Sequence, residues 1–309
     1  MPHNHHDHHG HHGHHDHHDN TQRNLLVSAL LNLVISIAEI VGGLISNSLS
    51  LLSDALHNLG DTSAIFIAWM AGLISRKDRN DKKTFGYKRA EILAALFNAI
   101  VLAVIIFYLF MEAWQRLRHP EPVKGLIMLA VASVGLVANL ASVLLLKKHA
   151  SESLNVRAAY LHLLGDTVSS VIVIITAILI YFFNLYWIDP VVTFVLGLYL
   201  LRETWHILKE ALDILMQGTP PGLDLQNVKK QLEQITGIDN IHHVHAWNLN
   251  DRDIHFECHV DLRENIRISD TESIQDDIRR ILLDQFQINH VTIQYEYNCC
   301  EDKNMIHPA

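Results

Sequence analysis

Residues 92–111 read ILAALFNAIVLAVIIFYLFM, twenty positions with no charge and a single amide, Asn98. At about 1.5 Å of rise per helical residue, that run alone crosses the ~30 Å hydrocarbon core of a bilayer. A helix in a soluble core has no need of so long a stretch that is apolar on every side. Five further segments share the character, and six spans are expected at roughly 25–46, 49–74, 90–115, 124–146, 157–183 and 189–214. Short polar breaks separate neighbours. Ser46-Asn47-Ser48 follows the first span, and Asn184-Leu185-Tyr186-Trp187 precedes the last, where Tyr186 and Trp187 suit an interfacial belt.

Loop charge sets the orientation. The second loop holds Arg76, Lys77, Arg79, Lys82, Lys83, Lys88 and Arg89; the fourth adds Lys147 and Lys148, with Arg157 at the next helix start. The first and fifth loops carry no basic residue, and the third has Arg116, Arg118 and Lys124, a weaker contrary signal. Basic loops stay inside, so both termini of this multi-pass cell-membrane protein are expected in the cytoplasm.

Three regions follow. Residues 1–23 form a histidine-rich tail, with eleven histidines among residues 1–18 in doublets broken by Asp, Gly or Asn; such a composition implies a disordered cytoplasmic segment that binds metal weakly. Residues 24–216 form the six-helix transmembrane domain. Residues 217–309 form a small soluble domain on the cytoplasmic side. From 218 onward there are 8 basic and 16 acidic side chains, the reverse of the basic face a nucleic acid requires, so that partner is excluded. Cys258, Cys299 and Cys300 make no disulfide framework and fit a reducing compartment or metal ligation. No signal peptide is expected, because the first apolar run begins at Leu25 without a small-residue cleavage pattern.

After Thr219-Pro220-Pro221 the periodicity becomes that of a small soluble fold. Val228 to Ile235 reads as an amphipathic helix, Ile241 to Asn248 and Asp253 to Leu262 as strands around the turn Leu249-Asn250-Asp251-Arg252. Asp270 or Thr271 is the expected cap of a helix ending at Phe286, and Val291, Ile293 and Tyr295 alternate as a last strand. The order αββαβ predicts a three-stranded sheet with helices on one face.

The chemistry lies inside two spans. His57 and Asp61 sit four apart in His57-Asn58-Leu59-Gly60-Asp61, and His162 and Asp166 repeat the spacing in His162-Leu163-Leu164-Gly165-Asp166. Residues four apart share a helix face. Ionisable groups in a span cost several kcal/mol and mark function, whereas a lone histidine there reads as an interhelical hydrogen bond; the repeated pair argues for function. Two such faces brought together make an N₂O₂ cage whose carboxylates offset a doubly charged ion. Zinc prefers that tetrahedral set, calcium and magnesium ask for more oxygens, and copper(II) is rejected only by geometry. Asp54 and Asn58 flank His57 as candidates for orienting the ligands. Glu39, Asn32, Asn98 and Asn139 read as polar residues that stitch helices.

These stretches, with Ser48-Leu49-Ser50-Leu51-Leu52-Ser53-Asp54-Ala55-Leu56-His57, Thr84-Phe85-Gly86-Tyr87-Lys88-Arg89-Ala90-Glu91, Tyr160-Leu161-His162 and His242-His243-Val244-His245-Ala246-Trp247, resemble the cation diffusion facilitators. The likeness runs from about residue 24 onward and is nearest to the bacterial zinc-resistance branch. It implies a homodimeric zinc/proton antiporter of Y or V shape, with a metallochaperone-like cytoplasmic domain. Its transport ligands fall at His57, Asp61, His162 and Asp166, and a histidine at the first of these accompanies zinc preference. By the same resemblance His242, His259 and Glu296 fall on positions that bind regulatory metal. Gln294 and Glu272 stand where some members have histidines, and Cys299 and Cys300 are available to supplement the set, because thiolates favour zinc. His245 and His255 are further candidates, while His243, next to His242 on a strand, is expected on the opposite face. Arg89 matches a basic residue that tethers helices in the family. Lys83 and Tyr87 occupy the histidine positions of a loop site found in some relatives.

The expected activity is efflux of zinc from the cytoplasm by alternating access, with protons competing for the cage; imidazole, with an ordinary pKa of about 6.5, suits that exchange. Cobalt, cadmium or nickel as main cargo is the alternative within the same mechanism. A non-transporting metal receptor would carry an output module larger than this tail. An enzyme would keep one metal position open for water, which four protein ligands do not.

Overall fold

The structure, a computed structural model, describes residues 15–147, 154–251, 253–298 and 304–305, and for residues 15–29, 154–156 and 158–159 the backbone alone. Six long helices come first: α1 (His15–Ser46), α2 (Leu49–Ser75), α3 (Ala90–Arg118), α4 (Gly125–Lys147), α5 (Leu154–Phe183) and α6 (Ile188–Leu215). Among the described residues, 90–118, 125–147, 160–183 and 188–215 are long and apolar enough to cross a membrane, and Leu30–Ser46 is a shorter apolar helix. All six expected segments are helical. The first begins earlier than expected: α1 starts at His15, so the end of the histidine tract is helical rather than disordered. Once a helix is nucleated, adding a residue costs little. The remainder of the tract lies outside the described residues.

The chain packs as two compact units, Met1–Phe66 with Ile100–Thr204, and Ile67–Ala99 with Trp205–Ala309. In the first, polarity is inverted. The buried face of α1 is Asn32, Ile35, Ser36, Glu39, Gly42, Gly43 and Ser46, at three- and four-residue intervals, while Leu30, Val34, Val41 and Leu44 are about half exposed or more. Helix α4 buries Gly125, Met128, Ala132, Gly135, Asn139 and Ser142. Helices that turn amides inward and leucines outward are built for hydrocarbon, since water would demand the reverse. The N-terminus of α2 is fixed from α6: Asp189, fully buried, accepts from Ser48 Oγ at 2.7 Å, Leu49 N at 2.7 Å and Ser50 Oγ at 2.6 Å. One carboxylate thereby satisfies the otherwise unpaired donors that begin every helix. It anchors the helix that carries His57 and Asp61.

The second unit contains the sheet domain. Strands β1 (Ile238–Asn248) and β2 (Ile254–Leu262) pair antiparallel, and β3 (His290–Glu296) joins β2 in parallel, in the order β1-β2-β3. Helices α7 (Leu225–Leu232) and α8 (Glu272–Phe286) bring Val228, Leu232, Ile274, Ile278 and Leu282 into one core with Ile241, Phe256, Cys258 and Val260. The αββαβ order is therefore present. Two details differ from expectation. Helix α7 begins earlier, capped by Asp224, which accepts from the Gln226 and Asn227 amides, and it ends at Leu232 rather than Ile235. Glu233, just past the helix, accepts from the Ile241 amide within β1 at 3.0 Å, which joins α7 to the strand. The capping of α8 also differs: a 3₁₀ turn, Ile268–Thr271, leads into it, and the Thr271 hydroxyl donates to the Ile268 carbonyl at 2.8 Å instead of accepting from the helix.

Candidate functional site

The two His–Asp faces meet. His57 Nδ1 lies 3.4 Å from Asp61 Oδ2, and its Nε2 lies 3.4 Å from Asp166 Oδ1 on the other helix. His162 Nε2 is 3.1 Å from Asp61 Oδ2 and 3.7 Å from Asp166 Oδ2. Two ligands at ~2.0–2.1 Å from a tetrahedral ion stand about 3.4 Å apart, and the two contacts that cross between the helices have that scale, while His57 turns its other nitrogen, Nδ1, toward Asp61. The imidazole planes cross at 78°, with centroids 5.7 Å apart. Nitrogens of both histidines and an oxygen of Asp166 lie within 4.8 Å of one another. Asp61 Oδ2 and both Asp166 oxygens are buried without a hydrogen-bond donor of proper geometry; imidazole nitrogens face them. Asp166 is 1% exposed and His162 44%, so the cage is closed at one end and open at the other.

Beside it, a cavity of about 20 Å³ is lined by Ser53, Asp54, His57, Gly165, Ser169 and Tyr199, room for one water-sized sphere. Asp54 accepts from the Ser169 hydroxyl and from Ser170 Oγ at 3.4 Å, and Asn139 Nδ2 donates to Ser170 Oγ at 3.2 Å. Asn58 Nδ2 donates to Glu39 Oε2 at 3.2 Å. Asp54 and Asn58 thus tie α2 to α5 and α1 and make no hydrogen bond to the four cage residues. Sequence reasoning missed Tyr199, whose ring stands edge-on 6.4 Å from His57, because a tyrosine in an apolar run reads as interfacial. It also missed Ser169 and Ser170, which a three- and four-residue step from Asp166 would have found.

A second cluster lies in the sheet domain. His242 Nε2 is 3.2 Å from Glu296 Oε2, and His259 Nδ1 is 2.8 Å from Glu296 Oε1. His242, His259 and Glu296 offer ligand atoms within 4.8 Å of one another. His242 is 1% exposed, and neither of its ring nitrogens has a hydrogen-bond partner. Gln294 Nε2 donates to Glu296 Oε1 at 2.7 Å, so the residue in place of a family histidine steers the carboxylate. Cys299 and Cys300 lie outside the described residues. Cys258 is no ligand: it is buried in the core, where burial pushes its thiol up to about 12.

His243 departs from expectation. The β1–β2 register shifts between His242 and His245, and His243 adopts φ +49°. This bulge interrupts the alternation of faces. The His243 ring consequently stands 4.6 Å from that of His259, on the side of the cluster rather than opposite it. His245 lies 4.9 Å from His243 and is exposed. His255 sits elsewhere, with ring centroids 4.1 Å from His290 and 5.4 Å from Trp247, and an edge contact to Phe85. Burial and His290 hold it below the ordinary histidine range. Next to it Lys88 pairs with Asp253, which also accepts from Asn250 and Asn289, and the ammonium holds that carboxyl below its usual range. Arg89 Nε, by contrast, is buried without a hydrogen-bond partner.

Comparison with known proteins matches residues 25–216 to the cation efflux transmembrane domain and residues 220–298 to the cytoplasmic domain of cation efflux proteins. The chain belongs to the cation efflux family and is a membrane transporter, not an enzyme. It is 40% identical over 284 residues to the zinc transporter ZitB of Escherichia coli, covering 91% of this chain and 89% of the relative. It is 37% identical over 279 residues to a cadmium, cobalt and zinc/H(+)-K(+) antiporter of Bacillus velezensis, covering 90% and 89%. A solved metal-bound C-terminal domain of the CzcD transporter aligns at 31% identity with a TM-score of 0.22, covering 24% of this chain and 99% of that one.

Proposed function

We propose that this chain exports zinc from the cytoplasm in exchange for protons, through the cage of His57, Asp61, His162 and Asp166. One observation carries the reading: the two contacts that cross between the helices, His57 Nε2 to Asp166 Oδ1 at 3.4 Å and His162 Nε2 to Asp61 Oδ2 at 3.1 Å, have the ligand–ligand spacing of a tetrahedral ion. Two carboxylates cancel its charge, and two neutral imidazoles bind it. A proton arriving on the cage from outside competes with the ion for the same lone pairs, since a ligand must shed its proton to bind metal. Alternating access then couples the two flows in opposite directions. The reading includes six spans, both termini in the cytoplasm, and the division into residues 1–23, 24–216 and 217–309. The matched cytoplasmic domain supports a homodimer held through residues 217–309, with His242, His259 and Glu296 as a regulatory metal site that Cys299 and Cys300 supplement. Arg89 tethers helices and so provides a structural coupling route, while its neighbour Lys88 makes an ion pair with Asp253.

A second cargo reading, cadmium or cobalt through the same cage, is favoured by the similarity to the cadmium, cobalt and zinc/H(+)-K(+) antiporter of Bacillus velezensis. Proteoliposomes holding the full chain test both. Zinc flux that ignores an imposed outward-acidic gradient would end the exchange reading, and competition by cadmium or cobalt at equal concentration ranks the cargoes.

A further inference from the structure

The polar face of α1 contributes no ligand to the cage, and Glu39 meets it only through Asn58. Asn32, Ser36 and Glu39 follow one another at intervals of four and three residues, each less than one-tenth exposed. Glu39 is 1% exposed. Its Oε2 accepts the Asn58 amide, and its Oε1 is buried without a hydrogen-bond partner among the described residues. Asn58 directly follows the ligand His57, and its own Oδ1 is buried and unbonded, as is Asn32 Oδ1. Among the described residues no lysine, arginine or histidine lies within ion-pair distance of Glu39. The opposing helix provides space for this carboxyl: a Cβ on Gly135 of α4 would come within 2.2 Å of Glu39 Oε1.

A carboxylate so placed is costly to ionise unless a cation stands nearby. Its charged neighbours are carboxylates, Asp54 on α2 and Asp166 on α5; the imidazoles of His57 and His162 stand beside Asp166, and from α4 Gly135 faces Glu39 Oε1. When a doubly charged ion occupies the cage, it compensates the surrounding negative charge. When it leaves, something else must.

We propose that Glu39 is a proton-carrying residue of the exchange. It binds one proton on Oε1 as the metal departs outward and releases that proton to the cytoplasmic side as the next ion binds, with Asn58 linking it to the ligand-bearing turn of α2. This rests on the reading of the four-residue cage as the proton-coupled transport site.

The test uses the full chain. Glu39→Gln keeps an acceptor for Asn58 but cannot carry the proton. Zinc affinity of the purified variant should stay within about twofold of the parent, and zinc–zinc counterflow in proteoliposomes should persist. Uptake driven by a proton gradient should fall about tenfold or more, with a flattened pH profile, and Glu39→Asp should recover part of it. Gradient-driven uptake by Glu39→Gln equal to the parent's would overturn the proposal. So would loss of zinc binding together with transport, which would make Glu39 a structural strut. If the unaltered protein ignores the gradient, the parent reading fails instead, whatever the variant does.

Discussion

The two histidine–carboxylate clusters use the same side chains in opposite settings. The membrane cluster takes one His–Asp pair from each of two helices, has two carboxylates for a doubly charged ion, and includes an Asp166 that is 1% exposed. The cytoplasmic cluster takes His242 from β1, His259 from β2 and Glu296 from β3. It has one carboxylate, and that group is already steered by Gln294. A sheet ladder fixes these three positions rigidly, whereas two helices can part or rotate. The difference teaches how the same chemistry divides into work: ligands on separable helices suit an ion that must leave, and ligands on hydrogen-bonded strands suit an ion that stays.

The largest expected effect breaks the membrane half of this contrast. Asp166→Ala removes the buried carboxylate that faces both imidazoles, and gradient-driven zinc uptake should fall by about 100-fold or more, because the ion's charge is left half compensated. Uptake within a few-fold of the parent would remove the cage from the mechanism. Next in size is a change of selectivity: His57→Asp exchanges a nitrogen for an oxygen, and manganese competition with zinc should rise about tenfold in the same vesicles. On the cytoplasmic side, Glu296→Gln should abolish zinc-dependent strengthening of the dimer, followed by light scattering of the detergent-solubilised protein. Zinc–zinc counterflow should stay within about threefold. If it collapses as it does for Asp166→Ala, the two clusters are not divided as argued.

Much of this was legible in the chain. The spans stand out because a lipid-facing helix is apolar on every turn, a signal that survives without any partner. The cage stands out because His-x-x-x-Asp occurs twice, so that one helical face predicts two ligands at each occurrence. What depends on a partner from far away in sequence was not legible. Asp189 caps α2 across 140 residues, and nothing near Leu49 announces it. The bulge at His243 is a positive-φ kink in a strand whose pattern reads as plain alternation, so its ring was assigned to the wrong face. Glu39 was read as a helix stitch; its unbonded oxygen against Gly135 appears only once α1 and α4 are packed.

The smallest expected effect concerns the contact layer of the sheet domain, where pH separates two groups. His255 has a folded pKa below its ordinary 6.5, lowered by burial and by His290. Its contribution to stability is therefore complete above pH 6.5 and is lost as pH falls from there toward its lower folded value. Asp253 is also lowered, by Lys88, but from 3.8, so its contribution remains intact until pH drops below that value. Of these two groups, only the histidine begins to lose its contribution as pH falls from 7.5 to 5. Thermal unfolding of the full chain in detergent, with a chelator present, should show a lower transition at pH 5, and Trp247, 5.4 Å from His255 in ring separation, provides a fluorescence report of the same titration. His255→Asn should remove that part of the pH response. A pH response unchanged by His255→Asn would show that the packing of His255 against His290 and Trp247 contributes nothing to it.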